Sequence, residues 1–439
     1  MPSFQKGIIR NEKFTLDNFR SFMPKPIRYY TTFRNTIWTV LQERGWEQVS
    51  NDTDDWNFIW ASVEWISERF DYSHVPDTKF VNHFRNFYIL TRKDLMAKNL
   101  KAARRNLLKY NLHELGDLFD FVPANFILPM EFGMITEFNR KQTTKPLYIV
   151  KPSCRAQGKG IFICGYSDLY TWFNTEFQAK ANSGSDREAL YVVQKYLDNP
   201  LVVCGHKFDL RIYCLVESFQ PLVAWICREG FARFSLRPFT ANADTRDLEV
   251  HLTNVAIQKN STNYDSRADG AKWSLFQLGC YLETIYGREQ IDIMFLRIEQ
   301  LIIRSLQAVA NDMIKSPCMF EIYGFDVMLD SSLKPWLIEI NASPSLSADT
   351  REDSIVKRRM LHDAISILGV DVPKPSPDCV RFGCWNKCYS GRVPKFTQIG
   401  DPARFEKELA AGYVSPKRAS LGCASERVWG MMVSSLSLS

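Results

Sequence analysis

The sequence has no long apolar run and little net charge. No stretch approaches the ~18 uncharged apolar residues of a membrane-spanning helix, and the first residues, MPSFQKGIIR, lack the apolar region of a signal peptide. We therefore expect a cytoplasmic protein without membrane insertion. The formal net charge of +6 is too small to indicate a nucleic-acid partner, and we expect none.

A disulfide framework and internal repeats are missing as well. The eleven cysteines are odd in number and scattered, so we predict reduced thiols, several of them in the core: Cys164, Cys204, Cys214 and Cys227. Cys379, Cys384 and Cys388 cluster without a nearby fourth sulfur or histidine in the sequence, which favours no metal over a zinc site. No repeat of about 20–50 residues indicates a solenoid or a propeller.

The composition is typical of a folded α+β protein. Hydrophobic residues make up 45% and charged residues 24% of the 439 residues, a length sufficient for two or three domains. The first third is rich in aromatic residues and predicts helices, whereas residues 148–341 carry short β-branched and aromatic runs with helical stretches between them. Residues 351–439 carry 14 lysines and arginines against 9 acidic residues, and after Pro373 proline, serine and glycine predict an irregular tail.

A basic amphipathic helix is predicted near residue 96. Its apolar residues follow helical spacing: Met96, Leu100, Ala103 and Leu107. The opposite face is cationic: Lys98, Lys101, Arg105 and Lys109. Two interpretations stay open, a solvated surface and a contact surface for an acidic polymer.

A glycine-containing loop between two apolar strands is the first candidate for phosphate binding. In YIVKPSCRAQGKGIFIC, residues 148–164, Gly158 and Gly160 flank Lys159, and glycines let backbone N–H groups approach a phosphate. A strand follows the loop, so the segment does not match a Walker A motif. A hairpin lid over a nucleotide fits better, with Lys151 reaching a phosphate; a plain β-turn is the alternative.

The segment KFDLRIYCLV is the second candidate. Its period of two places Lys207, Asp209 and Arg211 on one face, and the apolar run after them indicates a central strand. Buried charges need partners, which a polyanionic ligand would supply; a solvated strand face is the alternative. The next segment predicts a hairpin that turns at Glu229–Gly230 and carries Arg233 on its returning strand.

Residues 320–345 predict a β-hairpin around the turn DSSLKP. Symmetric closure gives three opposed pairs: Asp326 with Glu339, Met328 with Leu337, and Asp330 with Pro335. Asn341 returns to the face of Glu339. Two carboxylates opposed at ~5 Å repel each other unless a cation lies between them, and Asp, Glu and Asn oxygens suit Mg²⁺. The alternative is a surface hairpin whose charges face water.

The segment HLTNVAIQK places Thr253 and Asn254 at the end of an apolar stretch, as a loop cap, and we interpret His251 as a structural histidine. The sequence offers no recognisable Ser/His/Asp or Cys/His constellation. Lysines, a glycine lid, opposed carboxylates and arginines together predict phosphoryl transfer. These residues do not distinguish a kinase from a ligase.

These motifs resemble the tubulin–tyrosine ligase-like family over roughly residues 40–365. The segments that carry the resemblance are KPSCRAQGKGIF, QKYLDNP, KFDLR, GFARFS, HLTNVAIQK, YGFDVMLD and LKPWLIEINASPSL. The chain is most similar to the glutamylase branch, in particular its short members, since the glycine-adding branch has HLCNN where this chain has HLTNV.

The resemblance implies an ATP-grasp fold, with ATP between a central and a C-terminal domain. The implied divisions are an N-terminal aromatic and basic helical region at 1–121, a central domain at 122–199, a C-terminal domain at 200–365 and an irregular tail at 366–439. In this family Mg-ATP phosphorylates a carboxylate of the target protein, and the amine of a free amino acid attacks the acyl phosphate to form an isopeptide bond. The implied cofactors are ATP and Mg²⁺.

The resemblance also implies roles by position. The implied ATP contacts are Lys151, Gln157, Gly158, Gln194, Lys195, Tyr196, Leu197, Lys207, Phe208, Asp209, Thr253 and Asn254. The implied Mg²⁺ ligands are Asp326, Glu339 and Asn341, and the implied catalytic residues are Glu339 and Arg211, the latter near the acyl phosphate. Arg233 matches the clamp on the carboxylate of the free amino acid, with Lys272 and Lys357 as helpers.

The implied function is a tubulin glutamylase that joins free L-glutamate to glutamate side chains in the acidic C-terminal tails of tubulin. The implied location is the microtubule cytoskeleton, at the axoneme of a cilium or flagellum or at its basal body. Autonomous members carry a long cationic extension, whereas this tail is modestly basic, so we expect accessory subunits. The alternatives are a glycine- or tyrosine-adding ligase, a non-catalytic microtubule-binding subunit, and an ATP-grasp ligase for a small metabolite.

Overall fold

The computed structural model describes residues 26–50, 55–72, 75–76, 78–153, 158–177, 190–240, 244–253, 272–348 and 350–414. The helices in these ranges are α1 (Thr36–Glu43), α2 (Val63–Tyr72), α3 (Tyr88–Thr91), α4 (Lys93–Lys109), α5 (His113–Asp117), α6 (Phe132–Lys141), α7 (Tyr166–Trp172, continued by a π-helical turn at Phe173–Phe177), α8 (Leu248–His251), α9 (Leu275–Tyr286), α10 (Arg288–Val309), α11 (Arg351–Leu368) and α12 (Pro402–Ala411). None of them is long and apolar enough to cross a bilayer.

The strands in the same ranges are β1 (Arg28–Thr31), β2 (Glu47–Gln48), β3 (Phe58–Trp60), β4 (Phe80–Val81), β5 (Asn125–Leu128), β6 (Tyr148–Pro152), β7 (Phe162–Cys164), β8 (Tyr191–Lys195), β9 (Val202–Val203), β10 (His206–Phe219), β11 (Leu222–Cys227), β12 (Phe231–Phe234), β13 (Lys272–Ser274), β14 (Glu321–Leu329), β15 (Pro335–Asn341), β16 (Arg381–Phe382) and β17 (Trp385–Gly391). With the helices they form the mixed α+β architecture that the sequence predicts.

A nine-stranded sheet is built around the long strand β10. One edge of β10 pairs antiparallel with β14, which pairs with β15. The other edge pairs with β12 near its start and with β11 near its end, and these extend to β13 and β17. This arrangement places β10 and β14 in the interior, where charged side chains are desolvated.

Strand β10 has two different faces because its side chains alternate. Phe208, Leu210 and Ile212 pack in one core with residues of α4, α9 and α10. Tyr213 and Leu215, on the opposite face, pack in a second core with residues of α1 and α11. Because side chains alternate, Lys207, Asp209 and Arg211 lie on the same face of β10 as Tyr213 and Leu215. The face that is apolar at the end of β10 is therefore charged at its start.

Two smaller sheets precede the large one. β2, β1, β3 and β4 form a parallel sheet, and β5, β8, β6 and β7 form an antiparallel central sheet. The prediction of a helical N-terminal region was therefore wrong in part. Its strands are two to four residues long, too short to show alternation in the sequence. The helix predicted near residue 96 is α4, and its predicted apolar residues are buried.

The prediction of an irregular tail was wrong for three segments, which are the strands β16 and β17 and the helix α12. Strand β17 pairs with β11, and its residues Trp385 and Tyr389 are fully buried. In α12, Phe405 and Leu409 are buried as well. The polar sequence of β17, WNKCYSG, conceals the strand. Lys387 lies in it with its ammonium 4.7 Å from the centre of the Trp225 ring, donating to the Pro377 carbonyl.

The predicted hairpin at Glu229–Gly230 is also absent from the described chain. β11 and β12 run in one direction, both antiparallel to the same edge of β10. A Cβ at Gly230 would lie 2.4 Å from the Arg211 carbonyl oxygen, so this glycine allows close backbone contact in the connection between β11 and β12, which follow each other along β10.

The nine cysteines within the described residues are free. Cys164, Cys214 and Cys227 are buried as predicted, but Cys204 is exposed because it lies in the turn between β9 and β10, at a φ of 51°. The thiols of the sequence cluster have different neighbours: the Arg381 carbonyl for Cys379, the Cys227 sulfur at 3.6 Å for Cys384, and the Ala224 carbonyl for Cys388.

Candidate functional site

A cavity lies between the central sheet and the large sheet. Its lining residues on the side of the central sheet are Ile149, Lys151, Ile161, Gln194, Lys195, Tyr196 and Leu197. On the side of the large sheet they are Lys207, Asp209, Asp326, Met328, Ile338 and Glu339, and His251, Leu252 and Thr253 complete the wall. Ten of the residues expected at an ATP or Mg²⁺ site therefore line one cavity.

One part of the cavity wall is apolar. Ile149 and Tyr196 belong to a small buried cluster that Ile161, Leu252 and Phe239 pack against. Met328 and Ile338 line the cavity from the large sheet. Such walls accommodate a flat, weakly polar group, while the polar residues sit around them.

Two buried lysines lie in the wall, with neutral hydrogen-bond partners. Lys151 donates to Gln194 Oε1 at 2.8 Å, and Lys207 donates to the Tyr196 hydroxyl at 2.9 Å. Neither forms an ion pair within the described chain. Burial lowers the pKa of Lys151 to about 8 and the pKa of Lys207 to about 7. Both lysines would gain from an anionic ligand.

Two arginines and two aspartates form a buried network by direct cross-strand pairing. Asp209 on β10 lies opposite Arg233 on β12, and Arg211 on β10 lies opposite Asp326 on β14. Arg211 binds Asp326 through two hydrogen bonds of 2.6 and 3.0 Å. Arg233 binds Asp209 through two hydrogen bonds and reaches Asp326 at 3.0 Å.

This network keeps its carboxylates and guanidinium groups charged, and it supplies partners that the sequence analysis expected from a ligand. Burial alone would raise the pKa of Asp326, but Arg211 and Arg233 outweigh it and hold that pKa well below its usual range. Burial opposes the charge of Arg233, yet Asp209 and Asp326 raise its pKa. The expectation that a ligand must supply the partners was therefore wrong for Asp209 and Arg211, which pair with protein side chains.

The hairpin β14–β15 brings the predicted carboxylates together. Asp326 pairs with Glu339 as predicted, but Val327 pairs with Leu337 and Leu329 with Pro335, one residue away from the prediction. A bulge at Ile338 causes the shift and turns both Ile338 and Glu339 into the cavity.

Asn341 links the two opposed carboxylates. Its Nδ2 lies 3.3 Å from Asp326 Oδ2 and 3.2 Å from Glu339 Oε1. Lys93, at the start of α4, lies 3.5 Å from Glu339 Oε2. The repulsion between Asp326 and Glu339 is thus relieved by protein groups, and Lys93 is a site residue that the sequence did not predict.

Lys272 and Lys357 meet at a second carboxylate. Lys272 lies 2.7 Å and Lys357 3.0 Å from oxygens of Asp353, the buried acid in the first turn of α11. Lys272 also lies opposite Arg233 in the β12–β13 pair, with its ammonium 4.0 Å from the centre of the Phe231 ring. The three residues expected to bind the free amino acid therefore share one region.

Other predicted residues lie elsewhere. Phe208 is on the core face of β10, 5.5 Å from Phe234 between ring centres. Gly158 has a φ of 75° in the loop after β6, and Gln157 and Asn254 lie outside the described residues. His251 has two polar contacts, Nδ1 with the Tyr196 hydroxyl at 2.8 Å and Nε2 with the Asp244 carbonyl at 3.1 Å, which makes it a satisfied wall residue.

The cationic face of α4 continues outward from the cavity. Lys98, Arg105 and Lys109 are exposed, whereas Lys101 is paired with Glu131 at 3.0 Å. Because Lys93 begins the same helix, one helix connects the cavity to an exposed basic surface.

The chain is similar in sequence to one known protein family and to several known proteins. A sequence profile described as "Tubulin-tyrosine ligase family" matches residues 72–378. The chain is 40% identical over 365 residues to "Probable tubulin polyglutamylase ttll-9" of Caenorhabditis elegans, covering 83% of this chain and 85% of that protein. It is 40% identical to "Probable tubulin polyglutamylase TTLL9" of Bos taurus, covering 79% and 80%. It is 39% identical to "Probable alpha-tubulin polyglutamylase Ttll1" of Tetrahymena thermophila, covering 92% and 99%.

Proposed function

Because the chain belongs to the tubulin-tyrosine ligase family, we propose that it is an ATP-dependent ligase that adds glutamate to tubulin. The polyglutamylase names of its relatives support glutamate as the amino acid and tubulin as the target. One observation carries the proposal: two buried lysines, which form no ion pair with a carboxylate among the described residues, line the same cavity as a pair of opposed carboxylates. A triphosphate with its metal complements both sets of charges.

We propose that ATP lies between the two sheets, as in an ATP-grasp fold. The apolar wall around Ile149 and Leu252 would hold the adenine ring of ATP, next to the segment Gln194–Leu197. Lys151 and Lys207 would bind the phosphates. Gly158, and Gln157 and Asn254 in the undescribed segments, stay predictions from the sequence.

The oxygens of Asp326, Glu339 and Asn341 fit Mg²⁺ in chemistry, since the three side chains are in contact and carry carboxylate and amide oxygens. These residues would hold the ion, which would neutralise phosphate charge. Arg211 and Arg233 already balance Asp326, so Glu339, a quarter exposed, is the carboxylate with more freedom to bind it.

We propose transfer through an acyl phosphate on a glutamate side chain of the target. Arg211 would stabilise the charge of that group, and Arg233, Lys272 and Lys357 would orient the carboxylates of free glutamate. The chain's own task is to align an amine with an activated carbonyl and to exclude water, which cations and a buried cavity accomplish without a nucleophilic residue.

The exposed residues Lys98, Arg105 and Lys109 would attract the acidic tail of tubulin in a salt-sensitive way. Three side chains make a small surface, which supports the expectation of accessory subunits. The cytoskeleton is the expected location, and the axoneme or basal body stays a prediction from the sequence resemblance.

The test is incubation of the purified chain with Mg-ATP, microtubules and labelled glutamate, glycine or tyrosine in parallel. Incorporation of glutamate alone supports the proposal. Incorporation of glycine or tyrosine would make it a different ligase of the same family. If none is incorporated, the assay is repeated with proteins that the tagged chain co-purifies, and continued absence of transfer would contradict the proposal.

A further inference from the structure

The segment that follows Asn341 lines a second cavity. Its wall includes Asn82, Ser343, Pro344, Ser345 and Ser347. The exposed Ser343 has its hydroxyl 3.3 Å from Nε2 of His83, and Nδ1 of His83 lies 2.6 Å from Glu321 Oε1. His83 and Glu321 are buried, with exposed fractions of 1% and 0%.

The three residues form a connected chain from the cavity wall to the core. Glu321 begins β14 and also accepts from the backbone N–H of Phe84 at 3.4 Å, so its carboxylate is held in place. A carboxylate this close to Nδ1 keeps the imidazole proton on Nδ1 and leaves Nε2 as an acceptor for the Ser343 hydroxyl. Sequence reasoning missed the chain because its members come from three distant segments.

Two contacts place this cavity beside the residues of the proposed reaction. A Cβ at Gly324 would lie 2.9 Å from Pro344 Cβ and 3.2 Å from Arg211 Cδ, so the cavity wall packs close to Arg211. Lys357 donates to the Ser347 carbonyl at 2.5 Å. Two residues of this wall, Pro344 and Ser347, therefore lie next to Arg211, proposed to stabilise the acyl phosphate, and Lys357, proposed to bind the amino acid.

We propose that the Ser343 hydroxyl relays a proton from the attacking amine of the amino acid to His83 Nε2. Ser343 is the group that touches the amine, His83 is the base that accepts the proton through it, and Glu321 is the positioning residue that holds the imidazole. This inference rests on the proposed function and adds the base that it needs.

The proton balance is complete. Free glutamate arrives as an ammonium ion; one N–H bond breaks, and its proton passes through the Ser343 hydroxyl to His83 Nε2. The amine electron pair then forms the C–N bond, the bond from the acyl carbon to the phosphate oxygen breaks, and phosphate leaves with those electrons and the second amine proton. The imidazolium returns its proton to water through Ser343.

The test compares two nucleophiles in the Ser343→Ala variant. Ser343 is exposed, so this change should not disturb folding. We expect kcat with glutamate to fall about 100-fold, the scale of general base catalysis, with unchanged KM for ATP. Hydroxylamine is a free base at pH 7 and needs no deprotonation, so hydroxamate formation on tubulin should stay at the wild-type rate. Ser343→Thr, which keeps the hydroxyl, should restore glutamate transfer.

Ser345→Ala removes a hydroxyl from the same wall and is the matched control, expected to transfer glutamate at the wild-type rate. Unchanged glutamate transfer by Ser343→Ala would overturn the proposal, as would an equal loss with glutamate and hydroxylamine. His83→Gln, with folding checked by circular dichroism, should show the same split. Absence of hydroxamate with the wild-type enzyme would instead contradict the acyl phosphate of the proposed function.

Discussion

Lys93 places its ammonium nitrogen 3.5 Å from a carboxylate oxygen of Glu339. The contact joins the first turn of α4 to β15, so the helix with the exposed cations begins at the candidate site. The sequence analysis predicted a metal ion between the two opposed carboxylates. In the structure Lys93 lies beside one of them and two arginines beside the other.

Glu339→Gln should reduce glutamate incorporation by at least about 100-fold, because it removes a charge that opposes the cations of the cavity and would bind Mg²⁺. The measurement is incorporation of labelled glutamate into microtubules, with thermal unfolding as the check on folding. Glu137→Gln, on the exposed part of α6, is the control. Retained incorporation by Glu339→Gln would contradict the assignment of the site.

Nucleotide binding near pH 8 should take up protons. Burial lowers the pKa of Lys151 to about 8 and of Lys207 to about 7, whereas an unfolded lysine titrates near ~10.4. Between these values the unfolded chain binds more protons than the folded one, so the free energy of unfolding rises with pH from about 7 to about 10. An anionic ligand raises both lysine pKa values again.

Calorimetric titration of Mg-ATP at pH 8, in two buffers of different ionisation enthalpy, measures this uptake. At pH 6 both lysines are already charged and the uptake should be near zero. The variant Lys207→Met should lower the uptake at pH 8. Proton release on binding would contradict the shifted pKa values.

Arg233→Lys should raise the KM for glutamate about tenfold and leave the KM for ATP nearly unchanged, because lysine keeps the charge but loses the planar fork. Arg233→Ala should in addition lower the free energy of unfolding by about 3–5 kcal/mol, since it leaves buried Asp209 and Asp326 with fewer partners. Initial rates with each substrate varied give the two KM values. Equal changes would place Arg233 outside the amino-acid site.

Charge reversal of Lys98, Arg105 and Lys109 to glutamate should weaken co-sedimentation with microtubules, most strongly at low salt. Binding of ATP should not change, because these side chains are exposed and are not among the residues that line the cavity. Reversal of Arg140, Lys141 and Lys145, which are also exposed, is the control with the same change in net charge. Equal weakening by both sets would indicate nonspecific attraction.

Trp385→Ala should lower the free energy of unfolding by about 3–5 kcal/mol, the cost of truncating a fully buried aromatic side chain. Urea unfolding measures the change. Val380→Ala, at an exposed position of the same segment, should change stability by less than about 0.5 kcal/mol. Similar values for the two variants would contradict the packing of this segment.

The sequence predicted the parts of the site that depend on alternation along single strands. Lys207, Asp209 and Arg211 share a face, and Asp326 lies opposite Glu339, because side-chain period and hairpin closure are local properties. The pairs beyond Asp326 were displaced by the bulge at Ile338. A bulge depends on what packs against both strands, which one strand's sequence does not contain.

Contacts between distant segments could not be predicted. Gly230 indicated a turn in the sequence, yet its role is the approach to the Arg211 carbonyl. Lys93 belonged to a helix predicted for other reasons, and only its position beside Glu339 shows that it reaches the site. Strand β17 was hidden because polar residues interrupt its apolar pattern. One of them, Lys387, is satisfied by a contact with a distant segment, since its ammonium donates to the Pro377 carbonyl.

The pairing of β17 with β11 has a genetic consequence. A nonsense or frameshift mutation before residue 385 would remove β17, and the buried strand β11 would lose its hydrogen-bonded neighbour on that side. The backbone groups along this edge of β11 would then be unpaired, and Trp225 would be exposed, so that β11 would pair with strands of other molecules and cause aggregation. Such alleles should yield insoluble protein that is cleared from the cell, and they should therefore behave as recessive null alleles.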